Sequence, residues 1–249
     1  MIDKDKFDEL YKLDLGDDYM AKKLNISIEE IKEYRNNNNL DEGKRNSLLE
    51  SPSIKLSQEQ LEIITGTLLG DSSLQFTSNG VNPLFTTYHG EQQRDYMHHL
   101  EEKLKSLNSK YKEYTRLDKR DLKERITISV ITSNNPEFKP LYNMLYDPNT
   151  KKKVITKEFL ENFTIRSLAY LYMDDGYFCR STARICTDSF DEQSRQNLID
   201  HCIDNFDLSF THEKHGSYYR LRLSTYDFKL FRYLIEPYVL DSLKYKLNR

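Results

Sequence analysis

Two runs of this sequence, ITGTLLGDS from Ile64 to Ser72 and LAYLYMDDG from Leu168 to Gly176, read as helices that each close on an aspartate in the eighth position, Asp71 and Asp175. A carboxylate at the C-terminal end of a helix faces the negative end of the helix dipole, and two such groups brought together repel each other. A divalent cation relieves both strains. Cations shared between carboxylates and a phosphodiester can activate a water, stabilise the departing oxygen and orient the backbone for in-line displacement. Oxygen-only ligation with open positions suits Mg²⁺, with Mn²⁺ also admitted. One such aspartate alone is an ordinary helix stop, because Asp-Gly commonly ends helices. The chemistry depends on the pair.

The elements that must position the pair come from an internal repeat. One half opens with QEQLEIITGTLLGD, ending at Asp71, and the other with TIRSLAYLYMDDG, ending at Asp175. After each come short alternating strands (SSLQF and PLFTTYH; GYFCR and ARICTDS) and a long amphipathic helix (EQQRDYMHHLEEKLKSL; DEQSRQNLIDHCIDNF). A second pair of strands follows, whose last members look like copies, Arg125–Ser129 and Arg220–Ser224. Strict alternation in both predicts one buried and one available face. Each half closes with a helix (PEFKPLYNMLY; YDFKLFRYLIEPY) and then a lysine, Lys153 and Lys246. The predicted fold class is α+β, an αββαββα order repeated over residues 56–153 and 154–249.

These two motifs resemble those of single-chain LAGLIDADG homing endonucleases, in the subgroup whose second motif reads YMDDG. The resemblance runs from about Leu56 to the closing LKYKL, about four fifths of the chain. It implies two motif helices side by side between two saddle-shaped antiparallel sheets, with metal bound by the eighth motif residue, here Asp71 and Asp175. The residue before each, Gly70 and Asp174, would offer its backbone carbonyl. Lys153 and Lys246 match positions of an active-site lysine, where a cation could polarise the attacking water or stabilise the pentacovalent charge. Ser72 departs from the glycine many members carry. Gly66 and Gly70 are matched in the second motif by Tyr170 and Asp174, so the glycines of one helix are expected to make room for bulkier groups of the other. His89 and Asp188, ahead of the long helices, read as ordinary residues at a helix start, with water orientation as the alternative.

The partner implied is double-stranded DNA. A two-stranded ribbon fits the major groove with its polar side chains on base edges. Candidates on the strands are Gln75, Arg116, Lys119, Arg120, Arg125, Thr127, Arg180, Arg184, Lys214, Arg220 and Arg222. Ahead of this domain, residues 1–45 read as short helices, with Ser27 and Glu30 forming a capping-box pattern. The small core expected there is Tyr19, Met20, Leu24, Ile28, Ile31 and Tyr34, with Lys32 and Arg35 facing out. This resembles a small all-α helix-turn-helix, so Lys32 and Arg35 join the DNA-binding candidates. Residues 46–55, with Pro52 and several serines in the surrounding segment, suit a linker.

Composition narrows the classes. The 249 residues carry a formal net charge of −3, which argues against indiscriminate coating of nucleic acid; DNA affinity must come from a local basic surface. No apolar run suggests a membrane span and the N-terminus reads as no secretory signal, so the expected place is the cytoplasm. Cys179, Cys186 and Cys202 form no CxxC pair, which gives neither a disulfide frame nor a zinc site support. The resemblance implies a monomeric, metal-dependent endonuclease of a mobile element, cutting both strands of a long site to leave 3′ overhangs. An intron RNA maturase or a cleavage-inactive DNA-binding regulator are the alternatives on the same scaffold.

Overall fold

The computed structural model describes residues 2–12, 16–40, 53–77, 81–117 and 123–248. The described residues up to Leu40 contain three short helices, α1 (Lys4–Lys12), α2 (Asp17–Leu24) and α3 (Ile28–Asn37). Asn25, left-handed at φ 55°, ends α2 by donating its N–H to the Ala21 carbonyl. Ser27 and Glu30 open α3 with the expected reciprocal capping box. Phe7, Met20, Ala21 and Ile31 are the buried core.

Two expectations fail here. Ile28 lies at the rim and stays 39% exposed, and the half-buried Tyr19 likewise stands outside that core. Arg35, expected to face out toward DNA, is buried; its guanidinium ion-pairs with Asp17 and lies 4.8 Å from the Tyr11 ring centroid. A module this small has too few apolar side chains to fill its centre, and the long Arg35 stem fills space while Asp17 matches the charge. Lys32 is exposed as expected. Residues 41–52, which hold most of the expected linker, lie outside the described residues, as do Lys119 and Arg120.

The repeat then appears twice. The first half runs α4 (Gln58–Leu69), β1 (Ser72–Phe76), β2 (Pro83–Gly90), α5 (Arg94–Lys103), β3 (Lys110–Leu117), β4 (Glu124–Ile131) and α6 (Phe138–Leu145). A short helix, α7 (Lys157–Leu160), leads to the second half: α8 (Ile165–Asp175), β5 (Gly176–Cys179), β6 (Thr182–Ile185), α9 (Glu192–Phe206), β7 (Phe210–His215), β8 (Tyr218–Leu223) and α10 (Phe228–Ile235). Each half has one antiparallel four-stranded sheet, ordered β1-β2-β4-β3 and β5-β6-β8-β7. The αββαββα expectation holds in both, and no helix among the described residues is long and apolar enough to cross a membrane.

Side-chain caps start both motif helices: Ser57 accepts from the Gln60 N–H and Thr164 from the Ser167 N–H. The helices pack side by side because small residues let them. A Cβ on Gly66 would meet the Ser167 carbonyl oxygen at 2.2 Å, and one on Gly70 would meet the Asp174 side chain at 2.6 Å. The Ser167 hydroxyl donates to the Glu62 carbonyl at 2.8 Å, tying the two backbones. The expected complementarity is therefore present at Gly70 and Asp174; at Gly66 the neighbour is Ser167 rather than Tyr170. One continuous core, from Ile63, Phe85 and Val130 to Leu171, Leu198 and Phe231, joins the halves.

The two last strands are not aligned as their sequences suggest. Ser72 and Gly176, each following a motif aspartate, pair with Thr87 and Ile185, which in turn pair with Val130 and Leu221. Val130 is thus the counterpart of Leu221, and Ser129, not Arg125, that of Arg220. The likeness of Arg125–Ser129 to Arg220–Ser224 is shifted by an even number of residues, which preserves the inward and outward alternation and so leaves no trace in the pattern.

Candidate functional site

The C-terminal ends of α4 and α8 converge, and each is closed by a lysine from its own half. Lys153 follows α6 in an extended segment bridged to Tyr146. Its ammonium donates to the carbonyls of Leu68 (2.6 Å), Gly70 (3.2 Å) and Ser72 (2.6 Å). Lys246, in the 3₁₀ helix Asp241–Leu247, donates to the carbonyls of Met173 (2.5 Å) and Asp174 (3.1 Å). Both lysines therefore satisfy carbonyls that a helix leaves free at its end, and place positive charge at the negative end of the dipole. The Gly70 and Asp174 carbonyls, expected to face metal, are the ones these ammonium groups reach. Burial lowers both amines, Lys153 to about 8, against the pull of Asp174, Asp175 and Asp71.

The three carboxylates differ sharply in environment. Asp71 has a side chain 45% exposed, whereas that of Asp174 is fully buried between the motif helices. The Asp174 Oδ2 accepts the Asp71 N–H at 3.3 Å, so the second helix holds the end of the first. Burial, then the nearby Asp71, drives the Asp174 carboxyl well above the ordinary range. Asp175 is raised to about 7, first by burial and then by Asp71, with Lys246 and Lys153 opposing. Such stacked acidity in a low-dielectric corner is what a cation would relieve.

His89 was not legible as part of this corner. It stands near the end of β2, buried against the Tyr96 ring, with Nδ1 3.7 Å from Asp71 and Nε2 3.8 Å from Asp174. Asp71, His89 and Asp174 each present a ligand atom within 4.8 Å of the others. The Asp174 side chain, read from sequence as a bystander to its own carbonyl, is a full member. The sequence offered His89 only as a residue ahead of a long helix, with water orientation as the alternative, because its approach to both carboxylates depends on strand register. Asp188 instead pairs with Arg220.

Alternation along paired strands divides the DNA candidates by face. In the first half Gln75, Arg116, Arg125 and Thr127 share the face away from the helices; Arg116 stands directly opposite Arg125, and Tyr114 opposite Thr127. In the second half Arg184, Arg220 and Arg222 share the corresponding face, Arg184 opposite Arg222 and Arg220 opposite Glu213. Lys214 is corrected: it pairs with Tyr219 on the other face of the sheet, one residue out of phase with Arg220. Arg184 is also corrected as an open contact. It is buried, grips Glu213 through Nε (2.5 Å) and Nη2 (3.0 Å), and donates to the Cys179 carbonyl at 2.8 Å. Arg220 is engaged with Asp188 and with the Tyr177 hydroxyl. Arg180 occupies the tip of the β5-β6 hairpin, exposed and left-handed at φ 61°. The three cysteines are free thiols.

A family model described as the LAGLIDADG DNA endonuclease family matches residues 61–231. The DNA endonuclease I-ChuI of Chlamydomonas applanata is 31% identical over 211 residues, 78% of this chain and 97% of that protein. Protein RecA of Mycolicibacterium flavescens is 29% identical over 220 residues, 78% of this chain but 47% of that one, so the chain spans about half that relative's length. The cytochrome b mRNA maturase bI2 of Debaryomyces hansenii is 24% identical over 198 residues, covering 78% and 75% respectively. Among solved structures, the homing endonuclease I-WcaI bound to its DNA recognition sequence aligns with a TM-score of 0.71 at 24% identity, over 78% of this chain and 88% of that one, a likeness of fold.

Proposed function

We propose, for a chain that belongs to the LAGLIDADG DNA endonuclease family, that it is a site-specific endonuclease hydrolysing both strands of a long DNA duplex. The carrying observation is the convergence of two motif helix ends, bearing Asp71 and Asp175, with Lys153 and Lys246, between two sheets that each present polar side chains on one face. Two halves in one chain free the target from strict two-fold symmetry, so a monomer acting in the cytoplasm suffices.

The residues fit a divalent cation. An exposed carboxylate, Asp71, and a half-buried one, Asp175, stand at the helix ends, and burial together with Asp71 raises Asp175 to about 7, a strain that a cation relieves. Asp71 and Asp175 would hold it, beside the Gly70 and Asp174 carbonyls that the Lys153 and Lys246 ammonium groups already engage, and oxygen donors favour Mg²⁺ or Mn²⁺. When bound, such an ion supplies Lewis acidity and a deprotonated water for attack on phosphorus.

The chain's own groups do the rest. Asp71 and Asp175 orient water toward the scissile phosphates. Lys153 and Lys246, fixed by main-chain carbonyls, place positive charge where the pentacovalent oxygens develop theirs. On the first sheet Arg116 and Arg125, directly opposite, put two guanidinium groups on the face that would meet DNA phosphates, while Gln75 and Thr127 would reach base edges. Lys32 on α3 would extend the site through the N-terminal module. Incubating the chain with a randomised duplex library and Mg²⁺, then sequencing cut ends, tests the reading. One recovered long site carries it; binding without cutting in Mg²⁺ or Mn²⁺ contradicts it. The 24% likeness to a maturase favours one second reading, binding of intron RNA, which survives if RNA affinity persists in Asp71→Asn.

A further inference from the structure

The corner made by Asp71, His89 and Asp174 holds more donor atoms than a pair of oxygen ligands requires. His89 and Asp174 side chains are 4% and 0% exposed, and Nε2 of His89 and Oδ1 of Asp174 make no close hydrogen bond among the described residues, with the Tyr96 hydroxyl beside the Asp174 carboxyl and the Gln93 side chain beside the imidazole. Burying polar groups without a good hydrogen bond is costly. Nε2 of His89 and Oδ1 of Asp174 stand 3.8 Å apart, and one ligand atom from each of Asp71, His89 and Asp174 lies within 4.8 Å of the others, close enough for one ion to reach all three.

Pseudo-symmetry does not explain the cluster. The pairings Ser72↔Thr87 and Gly176↔Ile185 make Thr187 the counterpart of His89, and the Thr187 hydroxyl is spent on the Tyr219 carbonyl at 3.0 Å. Gly70 is the counterpart of Asp174. Neither the imidazole nor the additional carboxylate is therefore repeated, and among the described residues the second half contains no equivalent set.

We propose that Asp71, His89 and Asp174 form a binding site for a divalent transition metal, built into the first half alone and distinct from the pair Asp71 and Asp175. One imidazole with two carboxylates is a donor set for Mn²⁺, Fe²⁺, Co²⁺, Ni²⁺ or Zn²⁺, whereas Mg²⁺ and Ca²⁺ take oxygen ligands. His89 and Asp174 form its fixed wall, and the half-exposed Asp71 its open side. Because Asp71 belongs to both sets, occupancy of this site changes what that carboxylate can offer to the catalytic pair. The inference deepens the nuclease reading and rests on it only for that last consequence.

The test uses the full chain, titrated with Co²⁺ in saturating Mg²⁺ and followed by visible absorption and calorimetry, beside His89→Thr, His89→Gln and Asp174→Asn. Wild type should show a saturable ligand-field band. Co²⁺ affinity should fall by on the order of tenfold or more in the variants, while Mg²⁺ affinity of the His89 variants stays within about twofold. Urea unfolding without metal establishes that each variant folds, and His89→Gln, which keeps a buried polar group, carries the test if the threonine does not. Equal Co²⁺ affinity in wild type and the His89 variants overturns the proposal. A chain that cuts DNA with Mg²⁺ yet shows no His89-dependent Co²⁺ binding overturns this inference alone. His89-dependent Co²⁺ binding in a chain that cuts no DNA upholds the site and overturns the nuclease reading.

Discussion

The backbone of Gly66 in α4 lies directly on the backbone of Ser167 in α8, so that a Cβ there would sit 2.2 Å from the Ser167 carbonyl oxygen. Nothing flexible can move aside, because the obstacle is main chain. Gly66→Ala should push the motif helices apart and destabilise the chain by about 1–3 kcal/mol. Gly66→Leu should prevent their closure, and with it formation of the site. Urea unfolding reads this out, and unchanged midpoints would contradict the close approach.

Lys153 spans three carbonyls, those of Leu68, Gly70 and Ser72, at the end of the first motif helix. Lys153→Met keeps the stem but leaves those carbonyls with fewer partners, so stability should fall by about 1–3 kcal/mol. DNA cleavage should fall by a larger factor, on the order of 100-fold, because the charge is also lost. Lys153→Arg should not restore it, since a planar guanidinium cannot replace a compact ammonium among three carbonyls. Cleavage by Lys153→Met at the wild-type rate would remove the lysine from the chemistry.

Much of this was legible in the sequence, for a physical reason. Asp71 and Asp175 end apolar helical runs, and Lys153 and Lys246 follow the closing helices, so their placement depends only on element order. What depends on register was not legible. Lys214 and Arg220 differ in face because of ladder phase, and the apparent copies Arg125–Ser129 and Arg220–Ser224 are displaced along it. Arg35 and Arg184 were read as open cations because sequence shows a charge but not the Asp17 or Glu213 that three-dimensional contact brings to it. His89 entered the site for the same reason: its partners are far away along the chain.

Arg184 holds the Glu213 carboxyl below its ordinary value, chiefly through their hydrogen bonds. A folded-state value depressed below the unfolded one stabilises the fold above about pH 4.5 and ceases to do so as pH falls through the folded value. The stability gap between wild type and Glu213→Gln should thus be present at neutral pH and shrink as pH falls through the lowered value of the Glu213 carboxyl. It should stay under about 1 kcal/mol, because about a third of the Glu213 side chain is exposed. A gap independent of pH would show that charge is not the source. Denaturation midpoints across that range measure it.

The two sheets should respond differently to loss of arginine. Arg116→Gln and Arg125→Gln should each weaken DNA binding and reduce the slope of log affinity against log salt by about 1, as expected for lost phosphate contacts. Arg184→Gln, whose guanidinium is already occupied by Glu213, should lower the melting temperature instead and leave that slope unchanged. Fluorescence anisotropy over a salt series distinguishes the cases; a smaller slope for Arg184→Gln would return it to the DNA contacts.

The most direct test of the central claim is cleavage of the recovered duplex by Asp71→Asn and Asp175→Asn, with binding measured on the same preparations. Each variant should bind the site while double-strand cutting is lost, since each helix end supplies a carboxylate that no other residue at that position can replace. Unimpaired cutting by both would contradict the assignment of the paired motif aspartates as the catalytic centre.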